Sequence, residues 1–488
     1  MNQPSCANGA PRTTHPGSSW RYVSRAGVLL VILLLALTGR ASAHAAGPAF
    51  RVRDIFPGPE TSNPSRFTPL GNKLYFDASD PKHGEELWKA RSTRPDAAGH
   101  TTLVKDILPG QVGSTPDVDP VSVSGEKLFF AATDRLHGRE LWMTNSQNGM
   151  TRLVRDIWPG PTNSSAQEFT AVEGGVLFRA FDKAHGEELW KSDGTTKGTK
   201  FIKDIWPGTG SSHPDSLRTI GKTVFFAADN RHKGAELWRS DGTAAGPRLI
   251  KDINPGPNTS DPNDLTIRGG TLFFIADDGT HGIELWKSDG TTKGTRLVKD
   301  IAPGAASSEP NDEAVVNGTL FFSADDGRHG NELWKSDGTT KGTRLVKDIK
   351  PGPVGGKLNE LVAVGQRLYF EADDGRHGLE LWKSGLSGRT KLVKDIKPGP
   401  KSSNPHRLAD VKGKLYFRAR DGQHGMEPWK SNSRTSGTKL VQDIAPGRAS
   451  SDPSEFIGVK GFVFFTADDG HTGEDLWAAP LPLRHHHN

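Results

Sequence analysis

Short apolar runs of four to six residues, each closed by Gly, Asp, Asn or Pro, follow one another from residue 48 almost to the C-terminus. Nowhere do apolar positions recur at the three-to-four spacing of a helix. Between Asn263 and Ile301 the runs are Leu265 to Arg268, Thr271 to Ala276, Ile283 to Lys287 and Arg296 to Ile301. Gly269-Gly270 suits a tight hairpin, Asp278-Gly279 opens a second turn and Asp289-Gly290 a longer third loop. The pattern predicts four antiparallel strands. Leu272-Phe273-Phe274 is continuously apolar, as befits a strand covered on both faces, so a sheet this small must stack against neighbours.

The unit recurs nine times. Its closing tryptophans are Trp88, Trp142, Trp190, Trp238, Trp286, Trp334, Trp382, Trp429 and Trp477, at intervals of 54, 48, 48, 48, 48, 48, 47 and 48 residues. A length of 488 residues would suggest about three domains, but a fixed period overrides that prior. Four-stranded units repeating at this length describe propeller blades. The expected fold is therefore all-β: a single β-propeller over residues 49–480, with nine four-stranded blades. Residues 49–55 (AFRVRDI) match a fourth strand but precede the first unit, and the last unit lacks that strand. The N-terminal strand is thus expected to close the ring. An open superhelix would call for distinct polar end caps, which the sequence does not display.

Residues 1–45 differ in character. Arg21 and Arg25 precede an apolar run from Ala26 to Leu37, followed by Gly39, Arg40 and Ala41-Ser42-Ala43-His44-Ala45. That order fits a secretory signal peptide with an A-x-A-type cleavage site, and the run is short for a membrane span. Export with no span after cleavage is the expectation, with a signal anchor as the alternative. Arg12, Arg21, Arg25 and Arg40 are the leader's only charges, so its removal takes the formal charge from +5 to +1. No basic stripe suggests a nucleic-acid partner. Cys6 leaves with the leader, which excludes disulfides, thiolate metal sites and a cysteine nucleophile from the rest. Residues 481–488 form a tail ending in His485-His486-His487 and Asn488.

The string Glu188-Leu189-Trp190-Lys191-Ser192-Asp193-Gly194-Thr195, repeated from Glu236, Glu284 and Glu332, resembles the ELWxxDGT repeat family of bacterial secreted proteins. The resemblance implies a secreted or surface β-propeller-like array and leaves the biochemical role undefined. The DGT loop is replaced at Asn145–Gly149, Gly385–Gly388 and Asn432–Gly437, and unit one has an insertion around Pro95. Such losses suit turn chemistry better than a ligand site in every blade. Ala276 to Trp286 also resembles the tryptophan-docking motif of quinoprotein propellers, which implies that the nine tryptophans pack between blades, each N–H requiring an acceptor. It does not import quinone chemistry.

Candidate chemistry is sparse. His83, His137, His185, His281, His329, His377 and His424 share a slot that holds Lys233 in unit four and Thr472 in unit nine. A slot accepting all three asks for a donor to a turn carbonyl or carboxylate, not for a metal ligand. The pairs Asp277-Asp278, Asp325-Asp326, Asp373-Asp374 and Asp468-Asp469 precede glycine, the usual turn chemistry; structural Ca²⁺ is their alternative use, and no other cofactor is implied. There is no GxSxG, Walker loop, HExxH or dinucleotide fingerprint. The informative asymmetry is the variable residue of the DIxPG turns: Phe56, Leu108, Trp158, Trp206, Asn254, Ala302, Lys350, Lys397 and Ala445. Four consecutive large apolar residues predict an exposed arc on one face, suited to stacking on sugars or to a protein contact, unless the side chains fold back on their blades. Lys350 and Lys397 form at most a weak basic sector. The sequence therefore points to a secreted or cell-surface binding or scaffold protein recognising glycan or protein through Phe56, Leu108, Trp158 and Trp206. Its rival is a polymer-acting hydrolase or lyase working at the ring centre.

Overall fold

Each four-run unit forms a four-stranded antiparallel sheet, and there are nine. The structure is a computed structural model that describes residues 48–91 and 101–482. In the fifth sheet the strands are Asn263–Arg268, Thr271–Asp277, Ile283–Ser288 and Arg296–Lys299. Gly269 and Gly270 both have positive φ, 54° and 80°, the backbone of a type I′ hairpin. First strands of successive sheets pack on one another, and Ser65–Leu70 of the first meets Ser454–Val459 of the last, which closes the circle. The N-terminal strand Phe50–Arg53 pairs antiparallel with Glu474–Pro480 and completes the ninth sheet. The molecule is a nine-bladed β-propeller closed by its own N-terminal segment.

Two details depart from the sequence pattern. Fourth strands stop before the Asp-Ile pair, and the closing strand spans 50–53 instead of 49–55, because the backbone there leaves the ladder for a buried carboxylate described below. In blade two the first strand shrinks to Val123–Ser124 behind a 3₁₀ turn at Pro120–Ser122, since Pro116 and Pro120 have no N–H to give a ladder. The leader, the insertion around Pro95 and the His485–His487 tract lie outside the described residues. No helix among the described residues is long and apolar enough to cross a membrane.

The core is distributed over the blade junctions. The cluster around Trp190 joins Phe129, Leu141 and Val154 of blade two to Phe178 and Ala180 of blade three. Trp88 joins the ninth blade's Phe464 and Leu476 to the first blade's Leu74 and Phe76. All nine closing tryptophans are buried in such clusters. Cations of the preceding fourth strand cover several of them: Arg53 over Trp88, Lys251 over Trp286, Lys299 over Trp334 and Lys394 over Trp429, at 5.2 to 5.5 Å from the ring centre. The same lysines reach across the junction, as Lys299 Nζ does to Thr343 O at 3.1 Å. The expected indole acceptor exists in blade one, where Trp88 Nε1 donates to Ala78 O at 3.0 Å. In the other eight blades the N–H is buried without a partner, so packing holds the ring, joined by cation–π contact at Trp190, Trp286, Trp334 and Trp429.

Candidate functional site

The edge carrying the DIxPG turns is organised by a residue the sequence pattern did not single out, the glutamate before each Leu-Trp. Glu188 is fully buried on the third strand of blade three. Its carboxylate accepts from Ile205 N (3.1 Å), Trp206 N (3.1 Å), Ser212 N (3.2 Å) and Ser212 Oγ (2.6 Å). One side chain thus fixes both ends of the connecting turn. The pattern recurs at Glu140 with Ser164, Glu236 with Ser260, Glu284 with Ser308, Glu380 with Ser403 and Glu427 with Ser451. In blade nine Asp475 serves, taking Ser62 Oγ at 2.7 Å. Burial pushes Glu140, Glu188, Glu236, Glu332 and Glu380 up to about 7 against the pull of those donors, and Asp475 to about 6. The signal available was the fixed interval of 24 residues from Glu188 to Ser212 and from Glu236 to Ser260.

The turn's variable residue projects beside this anchor. Phe56, Leu108, Trp158 and Trp206 stand at four successive junctions on the same edge, and each is half-buried, not exposed as the sequence suggested. Trp206 lies over Gly210 of its own turn: a Cβ on Gly210 would come within 2.2 Å of the indole. At this turn position the remaining junctions carry no large apolar group, although Val354 stands exposed in the Lys350 turn. Ala302 and Ala445 are buried, Asn254 is held to Thr259 O, and Lys350 pairs with Asp373 at 3.0 Å. The anticipated basic sector is therefore partly neutralised.

The histidine slot is a turn device. His281 Nδ1 meets Asp278 Oδ2 at 2.8 Å, and the same pairing occurs at His83, His137, His185, His329, His377 and His424. Lys233 instead reaches Asp252 at 2.5 Å, and Thr472 Oγ1 donates to Asp469 at 3.0 Å. The partner carboxylate raises His137, His281, His329 and His424. Burial alone would raise Asp278, but bonds from the His281 ring and from backbone N–H groups outweigh it and bring the carboxyl below its ordinary value. Asp277 and Asp278 both accept from their own turn, so the carboxylates considered for Ca²⁺ serve the backbone. No cluster of three or more metal-ligating side chains occurs among the described residues.

Around the ring centre, eight first strands contain a bulge whose residue sits in the left-handed region: Arg66, Glu168, Ser216, Asp264, Asp312, Glu360, Arg407 and Glu455, with φ from 51° to 60°. Non-glycine residues hold this conformation at roughly 1 kcal/mol or more each. In return Glu168, Glu360 and Glu455 accept from Ser216 N, Leu408 N and Phe67 N of the next blade at 3.0 to 3.2 Å. A recess of about 300 Å³ opens here, lined by Phe67, Glu360, Arg407, Leu408, Glu455 and Phe456. His406 stands 3.7 Å from both Glu360 and Glu371. Burial pushes Glu371 to about 7, whereas the neighbouring His406 imidazole, with backbone donors, outweighs burial at Glu360 and lowers it.

No family model and no curated protein matches the sequence. Among solved structures, a puromycin hydrolase is similar over 76% of this chain and 61% of its own, at 14% identity and a TM-score of 0.39. An oligopeptidase B from Leishmania major is similar over 76% and 53%, at 12% identity and 0.43. The β-propeller domain of a Trilobed protease from Pyrococcus furiosus is similar over 68% and 98%, at 10% identity and 0.35. The chain thus spans about three fifths of the puromycin hydrolase. Likeness at this level carries nothing about activity.

Proposed function

We propose that this chain is an exported binding module of the ELWxxDGT type that recognises an extracellular glycan through the connecting-turn edge of its propeller. The observation that carries this reading is the confinement of large, half-open apolar side chains to four adjacent junctions, at Phe56, Leu108, Trp158 and Trp206. Trp206 rests against Gly210 of its own turn, and both indoles are half-open, which suits stacking on the apolar face of a sugar while the surrounding turn groups offer hydrogen bonds. A repeated anchor, Glu188 and its equivalents, holds the backbone rigid beneath them, which limits the entropy lost on binding. The test is binding of the mature protein to an array of uncharged extracellular glycans beside a Trp158→Ala/Trp206→Ala variant. Selective binding that disappears at an unchanged thermal midpoint supports the reading; binding that survives in the variant sinks it.

One observation favours a polymer-acting enzyme at the ring centre as the second reading. Glu360 and Glu371 are driven apart in acidity around His406, a combination present once among the described residues and suited to acid–base work. Both oxygens of Glu371 are buried, which weighs against access by a substrate. Polysaccharide cleavage that is abolished by Glu360→Gln would establish this reading in place of the first.

A further inference from the structure

Cations and carboxylates alternate in the sequence, and the fold lines up pairs of cations along one edge. The Asp-Ile turns, the Asp-Gly turns after the second strands and the Glu-Leu-Trp carboxylates gather at the edge described above. The opposite edge, where third strands run into fourth strands, collects lysine and arginine. In six consecutive blades two cations sit directly across the ladder: Lys191 and Lys200, Arg239 and Arg248, Lys287 and Arg296, Lys335 and Arg344, Lys383 and Lys391, Lys430 and Lys439. Like charges placed opposite each other oppose folding. The third-strand member is half-buried, and the fourth-strand member is exposed in all six. Burial lowers Lys287, Lys335, Lys383 and Lys430, and the neighbouring cation adds to it. Inner lysines reach the next blade's loop, as Lys335 Nζ reaches Leu386 O at 3.1 Å, and in the outer set Arg248 Nε donates to Ala245 O of its own loop at 3.4 Å.

The loop aspartates temper this charge in blades three to six. Asp193, Asp241, Asp289 and Asp337 stand beside the pairs, although each also accepts from its own Thr N–H and hydroxyl. In blades seven and eight that position is Gly385 and Asn432, so the counter-charge is gone while the pairs remain. At this junction lies a groove of about 700 Å³, lined by Gln366, Arg367, Tyr369, Leu386, Lys414 and Asn432. Arg367 Nη1 is oriented by Ser433 Oγ at 2.6 Å. The groove therefore lies beside two cation pairs whose loops lack the aspartate.

We propose that this edge binds a linear acidic polysaccharide, with the groove between blades seven and eight as its anchoring site and the cation pairs of blades three to six as its track. A partner with a charge on every sugar suits a surface that repeats its cation pair once per blade, and guanidinium groups favour carboxylate. A single-stranded nucleic acid would require stacking platforms, and no aromatic side chain is among the exposed large apolar residues described. The surface is distinct from the Trp158 and Trp206 arc, and the proposal does not depend on that site.

Polygalacturonate oligomers provide the probe, with an uncharged glucan of equal length and single-stranded DNA beside them. The expected result is binding of polygalacturonate alone or most tightly, weakening by roughly tenfold or more between about 50 and 200 mM salt. Lys391→Glu/Lys439→Glu should reduce it at least tenfold, while Arg328→Glu/Arg376→Glu, an equal charge change on exposed turns of the opposite edge, should leave it within about twofold. Equal loss in both charge variants would reduce the effect to net charge and overturn the assignment. So would no binding by the parent protein, or tighter binding of DNA. Unchanged thermal midpoints in the exposed-site variants separate lost contact from lost fold.

Discussion

Glu188 carries two demands at once: it is sealed from water, yet it must hold a turn that presents Trp206. Its four donors satisfy the charge in place of solvent, and Ser212 supplies the shortest bond at 2.6 Å. Ser212→Ala should cost about 1 to 3 kcal/mol, because the buried carboxylate loses a donor that nothing replaces. Urea unfolding at neutral pH checks this, and the loss should shrink near pH 5, where Glu188 is protonated. His281 illustrates the opposite case. It is a partly exposed side chain joined to Asp278 three residues back, so His281→Ala should leave glycan binding unchanged and lower the thermal midpoint only slightly.

At the scale of the blade, stability resides in the junction. Trp286 buries its indole between Leu237 and Ile250 of blade four and Leu272 and Phe274 of its own blade. Trp286→Ala should cost about 3 to 5 kcal/mol through cavity formation and lost burial. Lys251→Met, which removes the cation 5.2 Å above that ring but keeps an apolar stem, should cost about 0.5 to 2 kcal/mol. Equal losses in equilibrium unfolding would mean that the cation dominates packing. The first strands pose a different problem. Their bulge places a charged residue such as Glu360 in left-handed backbone, and no local sequence preference announces this; the neighbouring blade's N–H rewards it.

For the whole ring, closure and pH are the governing variables. Deleting residues 49–55 should expose the edge of Glu474–Pro480 and part of the Trp88 cluster, lowering the thermal midpoint by several degrees and promoting association, as scanning calorimetry and light scattering would reveal. The acid–base groups combine in sign. Native carboxyls at about 7, against an ordinary value of 4.5, retain protons that the unfolded chain has released. Their contribution is full below about pH 4.5 and is lost as pH rises through about 7. The raised histidines act in the same direction, losing their contribution above their native values. The lowered turn aspartates contribute above the ordinary carboxyl range and lose that contribution as pH falls through their native values. Stability should therefore be greatest in mild acid, with a higher thermal midpoint near pH 5 than near pH 8; the reverse order would refute the burial argument.

By itself the sequence determined the blade, the repeat number and the closing strand, because these follow from local periodicity, turn residues and a tryptophan on a fixed interval. It also determined that Trp158 and Trp206 differ from their counterparts. Only the tertiary structure decided how far those indoles are covered, since the Trp206 position depends on the path of the turn around Gly210. The buried office of Glu188 was equally hidden, for a glutamate beside Leu-Trp reads as a surface residue until its donors arrive from a turn folded over it. Charge was the least legible property. Lys287 and Arg296 are separated in the chain by a loop that carries Asp289 and Lys293, and pairing of the third and fourth strands brings them together on one edge. Repetition around the ring then aligns six such pairs along one edge.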